Sequence, residues 1–160
     1  MSENLCVETP FGLIQIRAHA DCIVSVDFVA TCPAMPVENQ LLQKAGEQLK
    51  AYCEQAQAGF DLPLHFRGSE FQRRVWQALQ EIPSGEVRTY GELATQLYSS
   101  PRAIGGACRA NPLPIIIPCH RVVSQRGLGG YSGETTGVNI QIKQRLLRHE
   151  GVEFQLRGHI

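Results

Sequence analysis

Residues 99–123 read SSPRAIGGACRANPLPIIIPCHRVV, and this stretch decides the fold of the second half of the chain. Ser100 is a favoured helix N-cap, and Pro101 suits the first helical position because the amide hydrogen that it lacks has no helical partner there. A helix over residues 102–110 is therefore predicted. It ends at Asn111, because the residue before a proline avoids helical backbone angles.

The apolar run at 114–118, PIIIP, leads into a cysteine with polar neighbours. Because it is walled by prolines and too short for a helix, the run is predicted to be a buried extended segment. Cys119 follows it, beside His120 and Arg121. Nearby positive charge lowers the pKa of a thiol, and the thiolate is the nucleophilic form. Cys119 is therefore predicted to be a nucleophile with a lowered pKa.

Another short helix precedes the one at 102–110. Tyr90 begins an apolar pattern with the i, i+3, i+4, i+7 spacing of an amphipathic helix, which ends near Leu97. Further upstream, Ser69 and Gln72 form a capping box at the start of a longer helix. The two short helices, joined by a Ser-Ser-Pro turn, are a candidate helix-turn-helix.

The second helix of this pair is rich in small residues, among them Ala103, Gly105 and Gly106. Each glycine inside a helix costs about 1 kcal/mol relative to alanine, so the small residues indicate a close approach by something else. The approaching group is either a second helix or a nucleic-acid backbone. Arg102 and Arg109 at the two ends favour nucleic acid, because a guanidinium group suits phosphates and base edges.

The last helix is predicted over about residues 139–150. Glu150 stands at its C-terminal end, where a carboxylate faces the negative end of the helix dipole. Such a residue is either exposed or paired with a cation or a histidine, and His120 is the natural candidate. The glycine-rich loop before this helix carries Tyr131 and Ser132, which suit either a bound flat heterocycle or a plain surface loop.

The first part of the chain differs in character. Residues 5–29 are predicted to form a strand, a turn and a strand, and the apolar spacing becomes helical from Asn39 to about Gly59. This small α/β unit contains no catalytic constellation. A domain boundary is predicted between residues 1–66, with three bases and eight acids, and residues 67–160, with twelve bases and seven acids. The zero net charge, which by itself argues against nucleic acid, therefore conceals a basic second half.

Six cysteines are spread along the chain with no C-x-x-C pair. Cys6 and Cys22, with His19 or His65, offer the ligands of a structural zinc site, but scattered buried thiols are the favoured interpretation. No apolar run approaches the ~18 residues of a membrane span, and no secretory signal begins the sequence. A cytoplasmic protein with reduced thiols and no membrane partner is predicted.

Four motifs follow one another along the second half: EVRTYGELA, RAIGGACRANPLPIIIPCHRVV, GGYSG and LLRHEG. Together they resemble the signature of the O6-alkylguanine-DNA alkyltransferases, the methylated-DNA–protein-cysteine methyltransferases. The resemblance covers residues 71–151 and is weak before them. It implies a ribonuclease-H-like α/β domain followed by a mostly helical domain with a winged-helix-like helix-turn-helix.

The resemblance also implies a function, which is DNA repair by direct reversal. Cys119 takes the alkyl group from O6-alkylguanine, and also from O4-alkylthymine, in one irreversible step, so that each molecule acts once. Glu150 and His120 form a hydrogen-bonded chain, through a water molecule, that helps to ionise the thiol. Tyr90 lies at the guanine and donates a proton as the base leaves. No cofactor is implied, and no metal is carried over, because the zinc ligands of some members are not matched.

The implied partner is double-stranded DNA that carries O6-alkylguanine, bound by a monomer that flips the damaged base. Arg102 takes the place of the flipped nucleotide, and the helix that it begins docks in the minor groove. The implied DNA contacts lie on that helix: Arg102, Ala103, Gly105, Gly106 and Arg109. The implied pocket residues surround the nucleophile: Asn111, Val122, Tyr131 and Ser132. The link at 133–138 is longer than in many members, so the tolerated alkyl group is expected to differ.

Two other functions are consistent with parts of the pattern. A non-catalytic protein that binds alkyl lesions resembles this family but lacks the nucleophile, and Cys119 argues against it. A Cys-His hydrolase has the same dipeptide at its centre. Adjacent residues point apart on an extended segment, which makes a direct thiol–imidazole pair awkward there.

Overall fold

The computed structural model describes four stretches of the chain: residues 2–32, 38–125, 127–129 and 138–152. The chain divides into two compact units, residues 1–67 and residues 68–160. Among the helices in these stretches, none is both long enough and apolar enough to cross a membrane.

The first unit is a three-stranded antiparallel sheet, in the order β1-β2-β3, with one helix against it. Its elements are β1 (Ser2–Thr9), β2 (Gly12–His19), β3 (Cys22–Phe28) and α1 (Gln40–Glu54). On the central strand, Ile14, Ile16 and Ala18 are buried, which is the period of two expected when one face meets the core. The α1 helix starts after the Asn39 cap as predicted, but it ends at Glu54, several residues before Gly59.

The sheet has one more strand than the sequence predicts. The sequence predicts one turn within residues 5–29, whereas the chain turns twice, between Thr9 and Gly12 and again between His19 and Cys22, and each of these pairs of residues closes a hairpin. Ala20 in that hairpin has a φ of +54°. Glycine, asparagine and aspartate are the usual residues with such an angle, so an alanine gives no local turn signal.

Two of the six cysteines are paired rather than reduced. Cys6 on β1 and Cys32 after β3 form a disulfide, with their Cα atoms 6.4 Å apart. The prediction of reduced thiols is therefore wrong for this pair, because the loop after β3 brings two distant positions together. Cys6 is also not a partner of Cys22 in a zinc site, since its sulfur is bonded to Cys32 and Cys22 is a free thiol.

The second unit consists mainly of helices. Its elements are α2 (Glu70–Gln80), β4 (Arg88–Thr89), α3 (Tyr90–Gln96), α4 (Pro101–Arg109), a 3₁₀ turn (Cys119–Arg121), β5 (Val122–Val123) and α5 (Val138–His149). The four predicted helices are confirmed, and β4 and β5 pair in parallel. The Ser69 capping box is present, and the Ser100 side chain accepts from the amide of Ala103 with Pro101 at the first helical position.

Of the two short helices, α4 packs against α2, and α3 packs against α4. Trp76 of α2 is buried, and its indole Nε1 donates to the carbonyl of Ala107 in α4 at 2.8 Å. Helix α3 packs against α4, with Leu93 and Ile104 buried. A buried indole needs a partner for its N–H, so this bond fixes the position of α4 while leaving its opposite face outward.

The segment at 114–118 is a turn and not the predicted extended segment. Pro114 bridges to Ile117, the amide of Ile117 donates to the carbonyl of Leu113 at 2.7 Å, and Ile115 has a φ of +73°. Ile115 and Ile117 are buried, whereas Pro114 and Ile116 are half-buried, so the predicted burial of the run holds for part of it. The tight turn was missed because isoleucine at a left-handed angle is rare and carries no turn signal.

Candidate active site

Cys119 is the first residue of the 3₁₀ turn and is 7% exposed. Asn111 holds the segment that delivers it. The Asn111 side chain donates to the carbonyl of Ile117 at 2.8 Å and accepts from the amide of Leu113 at 2.9 Å. The same side chain forms a hydrogen bond with the Cys119 sulfur. Asn111 therefore joins the end of α4 to the nucleophile.

The electrostatic environment of Cys119 differs from the prediction. Burial raises the pKa of the Cys119 thiol, and it outweighs the hydrogen bond from Asn111 and the charge of Lys143, which both lower it. The predicted lowering by Arg121 is wrong, because that guanidinium group is directed to Glu150. The resting form of Cys119 is therefore a buried thiol that needs a proton acceptor.

Glu150, just after α5, is paired as predicted. It is 3% exposed, and its Oε2 lies 2.8 Å from Nε2 of His120. Arg121 contacts the same carboxylate twice, from Nε to Oε1 at 2.8 Å and from Nη2 to Oε2 at 2.9 Å. The Nη1 of Arg121 also donates to the carbonyl of Ile82 at 2.6 Å. Arg121 thus links the ends of α2 and α5 to the active-site turn.

Burial, together with the nearby charge of Arg121, favours the neutral form of His120. Because Arg121 already compensates the charge of Glu150, the carboxylate does not require a protonated imidazole. Burial lowers the pKa of His120, against the opposing hydrogen bond from Glu150. A neutral ring donates from Nε2 to Glu150, which leaves Nδ1 as an acceptor. This Nδ1 is buried and forms no hydrogen bond with another described residue.

Lys143 on α5 is a site residue that the sequence analysis did not select. It is fully buried, and its Nζ donates to the carbonyl of Val122 at 2.7 Å and lies 5.8 Å from the centre of the Tyr90 ring. Burial lowers its pKa to about 8, although the charges of Cys119 and Cys108 oppose that shift. A signal was available, because Lys143 lies seven residues before Glu150 and so on the same helix face.

Tyr90, the first residue of α3, lies against the segment 127–129. A Cβ added to Gly129 lies 2.8 Å from the Tyr90 ring and 3.1 Å from its hydroxyl, and Gly129 has a φ of +73°. Glycine is the one residue that has no Cβ to overlap the ring and also adopts this backbone angle without strain. The backbone at Gly129 therefore lies directly against the Tyr90 ring. Val122 is buried beside Lys143. Tyr131 and Ser132, the other predicted pocket residues, lie outside the described residues.

The outward face of α4 carries the predicted small and basic residues. Arg102, Gly106 and Arg109 are exposed, while Gly105 and Ala103 are half-buried. A Cβ on either Gly105 or Gly106 meets no atom of the described residues within 4 Å. The small residues of α4 had two explanations, an approaching second helix or a nucleic-acid backbone. The first explanation is therefore wrong for both glycines.

An open cleft of about 540 Å³ begins beside this face. Its lining joins the start of α3 to the start of α4 and to the chain after β5: Thr89, Tyr90, Gly91, Glu92, Thr95, Pro101, Ser124 and Gln125. The cleft therefore connects the outer surface at the N-terminal end of α4 with the ring of Tyr90.

Comparison with known proteins agrees with this arrangement. Residues 70–152 match the family model of the 6-O-methylguanine DNA methyltransferase DNA-binding domain. A methylated-DNA–protein-cysteine methyltransferase of Methanosarcina acetivorans is 39% identical over 153 residues, which are 90% of this chain and 95% of that protein.

Two solved structures from Mycobacterium tuberculosis are also similar. An O6-methylguanine methyltransferase has a TM-score of 0.78 at 33% identity and covers 94% of this chain and 93% of its own. An OGT in complex with DNA has a TM-score of 0.76 at 34% identity and covers 92% of each chain. With its buried Cys119, the His120–Glu150 pair and these relatives, the chain belongs to the methylated-DNA–protein-cysteine methyltransferase family.

Proposed function

We propose that this protein repairs O6-alkylguanine, and also O4-alkylthymine, in duplex DNA by moving the alkyl group to Cys119. The proposal rests on the buried Cys119 thiol and the neutral His120 that follows it in the chain. The carboxylate of Glu150 holds His120, and Arg121 compensates the charge of that carboxylate. The M. tuberculosis OGT solved with DNA supports DNA as the partner. The same family membership supports transfer to a cysteine of the protein itself.

The chemistry follows from the positions of the acceptor groups. The Cys119 proton moves through a water molecule to Nδ1 of His120, and Glu150 stabilises the imidazolium ion that forms. The thiolate attacks the alkyl carbon in line with the O6–carbon bond, so an S–C bond forms as the C–O bond breaks. The electron pair stays with the guanine, and Tyr90 donates a proton to the base as it leaves. The thioether is stable, so the protein acts once.

The DNA interface is assigned to the outer face of α4. Arg102 at its start enters the base stack in place of the flipped nucleotide, and the exposed glycines let the minor groove approach the backbone. Ala103 and Arg109 complete this face. The target base enters a pocket formed by Asn111, Val122, Tyr131 and Ser132, with Tyr90 at its edge. A monomer is sufficient, because one chain supplies both the helix and the nucleophile.

We also propose a fold type for each of the two units. The three-stranded sheet with α1 is consistent with a ribonuclease-H-like domain over residues 1–66, and α3 and α4 with a winged-helix-like helix-turn-helix over residues 67–160. We propose that the protein is cytoplasmic. No cofactor is required, because the displacement consumes only the thiol.

The test is transfer of a labelled methyl group from O6-methylguanine in a duplex. We expect one equivalent of label on the wild-type protein and none on Cys119→Ala, which still binds the duplex. Label that stays on the DNA supports a lesion-binding protein instead. Repeated turnover of an ester or amide that depends on Cys119 supports a hydrolase.

A further inference from the structure

The residue that ends α3 has an unusual backbone. Tyr98 has a φ of +56°. The amide of Ser99 donates to the carbonyl of Ala94 at 2.8 Å, and the amide of Tyr98 donates to that of Thr95 at 3.4 Å. These two bonds form a Schellman motif, whose left-handed position is normally glycine and sometimes asparagine. A bulky aromatic residue at that position is an outlier that calls for an explanation.

The fold does not supply that explanation. Tyr98 is 95% exposed, and it is the one large apolar residue among the described residues that is mainly exposed rather than buried or half-buried. Both Schellman bonds come from backbone atoms, so glycine would form them without the strain. A residue kept in a strained conformation while its ring packs on nothing is typical of a contact with a ligand.

The surroundings indicate an anionic ligand. Arg74 of α2 donates from Nη2 to the carbonyl of Leu97 at 3.2 Å, which places a guanidinium group beside Tyr98. On the other side, Ser100 caps α4 and Arg102 is exposed on its first turn. No aspartate or glutamate occurs in the sequence between Glu92 and Glu134. Tyr98 therefore presents a ring and a hydroxyl group beside Arg74 and four residues before Arg102, in a stretch of sequence with no acidic residue.

We propose that Tyr98 binds the DNA backbone at the edge of the α4 interface. Its hydroxyl donates to a phosphate oxygen, and its ring packs on the adjacent deoxyribose. The inference rests on the proposed function, because it takes α4 as the helix that meets DNA. The turn before such a helix lies where the chain crosses the edge of the groove. Contacts of this kind position a protein without reading the sequence or the lesion.

The experiment measures duplex binding by fluorescence anisotropy, with Tyr98→Gly and Tyr98→Phe in the Cys119→Ala background. One hydrogen bond to a charged group corresponds to a loss of affinity of at least about tenfold in Tyr98→Gly, with a smaller loss in Tyr98→Phe, which keeps the ring. The loss is expected to be equal for undamaged and O6-methylguanine duplexes. It is also expected to be the same at low and moderate salt, because tyrosine carries no charge and releases no counterion.

The control is Ala20→Gly, which relieves a φ of +54° in the first unit. Both glycine variants are expected to melt at or above the wild-type temperature, and only Tyr98→Gly is expected to bind DNA more weakly. Wild-type affinity in Tyr98→Gly, a loss restricted to the damaged duplex, or a lower melting temperature overturns the role of Tyr98. Absence of methyl transfer by the wild-type protein instead overturns the proposed function, so the two failures are distinguishable.

Discussion

Replacing Arg121 with methionine tests the electrostatic basis of the site. The change keeps most of the volume of the side chain, but it leaves the fully buried Glu150 carboxylate beside His120 without the opposing charge of Arg121. Three hydrogen bonds of 2.6 to 2.9 Å are lost, two of them between opposite charges. Removing one member of a buried ion pair costs about 3–5 kcal/mol, and we expect a loss of unfolding free energy in that range.

The same substitution is expected to change the chemistry. Arg121 is one of the charges that lower the pKa of His120, so without it the carboxylate of Glu150 is expected to favour a protonated His120 and to raise that pKa. A protonated Nδ1 cannot accept the thiol proton. Methyl transfer at neutral pH is therefore expected to slow by at least tenfold and to recover as the pH rises above the new pKa of His120.

Urea denaturation measures the first effect, and single-turnover methyl transfer between pH 5.5 and 9 measures the second. Arg88→Met is the matched control, because its 3.0 Å pair with Glu86 is exposed, and such pairs contribute less than about 1 kcal/mol. If Arg121→Met is as stable as this control and keeps the wild-type pH profile, Arg121 does not set the protonation of His120 and the reasoning is refuted.

Three further substitutions test other parts of the site. In Gly129→Ala the new methyl group overlaps the Tyr90 ring, and the backbone keeps a left-handed angle that alanine disfavours. We expect the free energy of unfolding in urea to fall by about 1–3 kcal/mol and methyl transfer to slow. An unaltered rate of transfer contradicts the placement of Tyr90. Lys143→Met removes a lysine whose pKa falls from about 10.5 to about 8 on folding, so the unfolded chain binds the extra proton between these values. Between pH 8 and 10.5, the free energy of unfolding of the wild type should therefore rise by roughly 3 kcal/mol relative to that of the variant. If the two free energies change with pH in the same way, this expectation is wrong. Arg102→Ala should slow repair in duplex DNA more than reaction with the free modified base, and equal slowing on both contradicts insertion into the stack.

Local interactions made much of the second unit predictable. The caps at Ser69 and Ser100 depend on hydrogen bonds from amides three residues away. Pro101 favours the start of α4 because its own ring fixes a helical φ angle. Such features are determined by neighbouring residues, so the sequence reveals them directly. The pairing of Glu150 with His120 was also predictable, because a carboxylate at a helix C-terminus needs a compensating partner.

The features that the sequence did not reveal depend on distant contacts or on uncommon backbone angles. Arg121 reaches a carboxylate 29 residues away, and its side chain turns from the neighbouring thiol toward Glu150. Burial then raises the pKa of Cys119, whereas adjacency in sequence suggested the opposite. Ala20 and Ile115 adopt left-handed angles that their side chains do not favour, so the second hairpin and the turn before Cys119 were missed.

The most direct test of the account is the intact mass of the protein after incubation with duplex DNA that carries O6-methylguanine, followed by peptide mapping. If Cys119 accepts the alkyl group once and irreversibly, the mass increases by one methyl group per molecule, located on Cys119, with no further increase at excess DNA. An unchanged mass with full loss of the lesion, or a methyl group on any other residue, contradicts it.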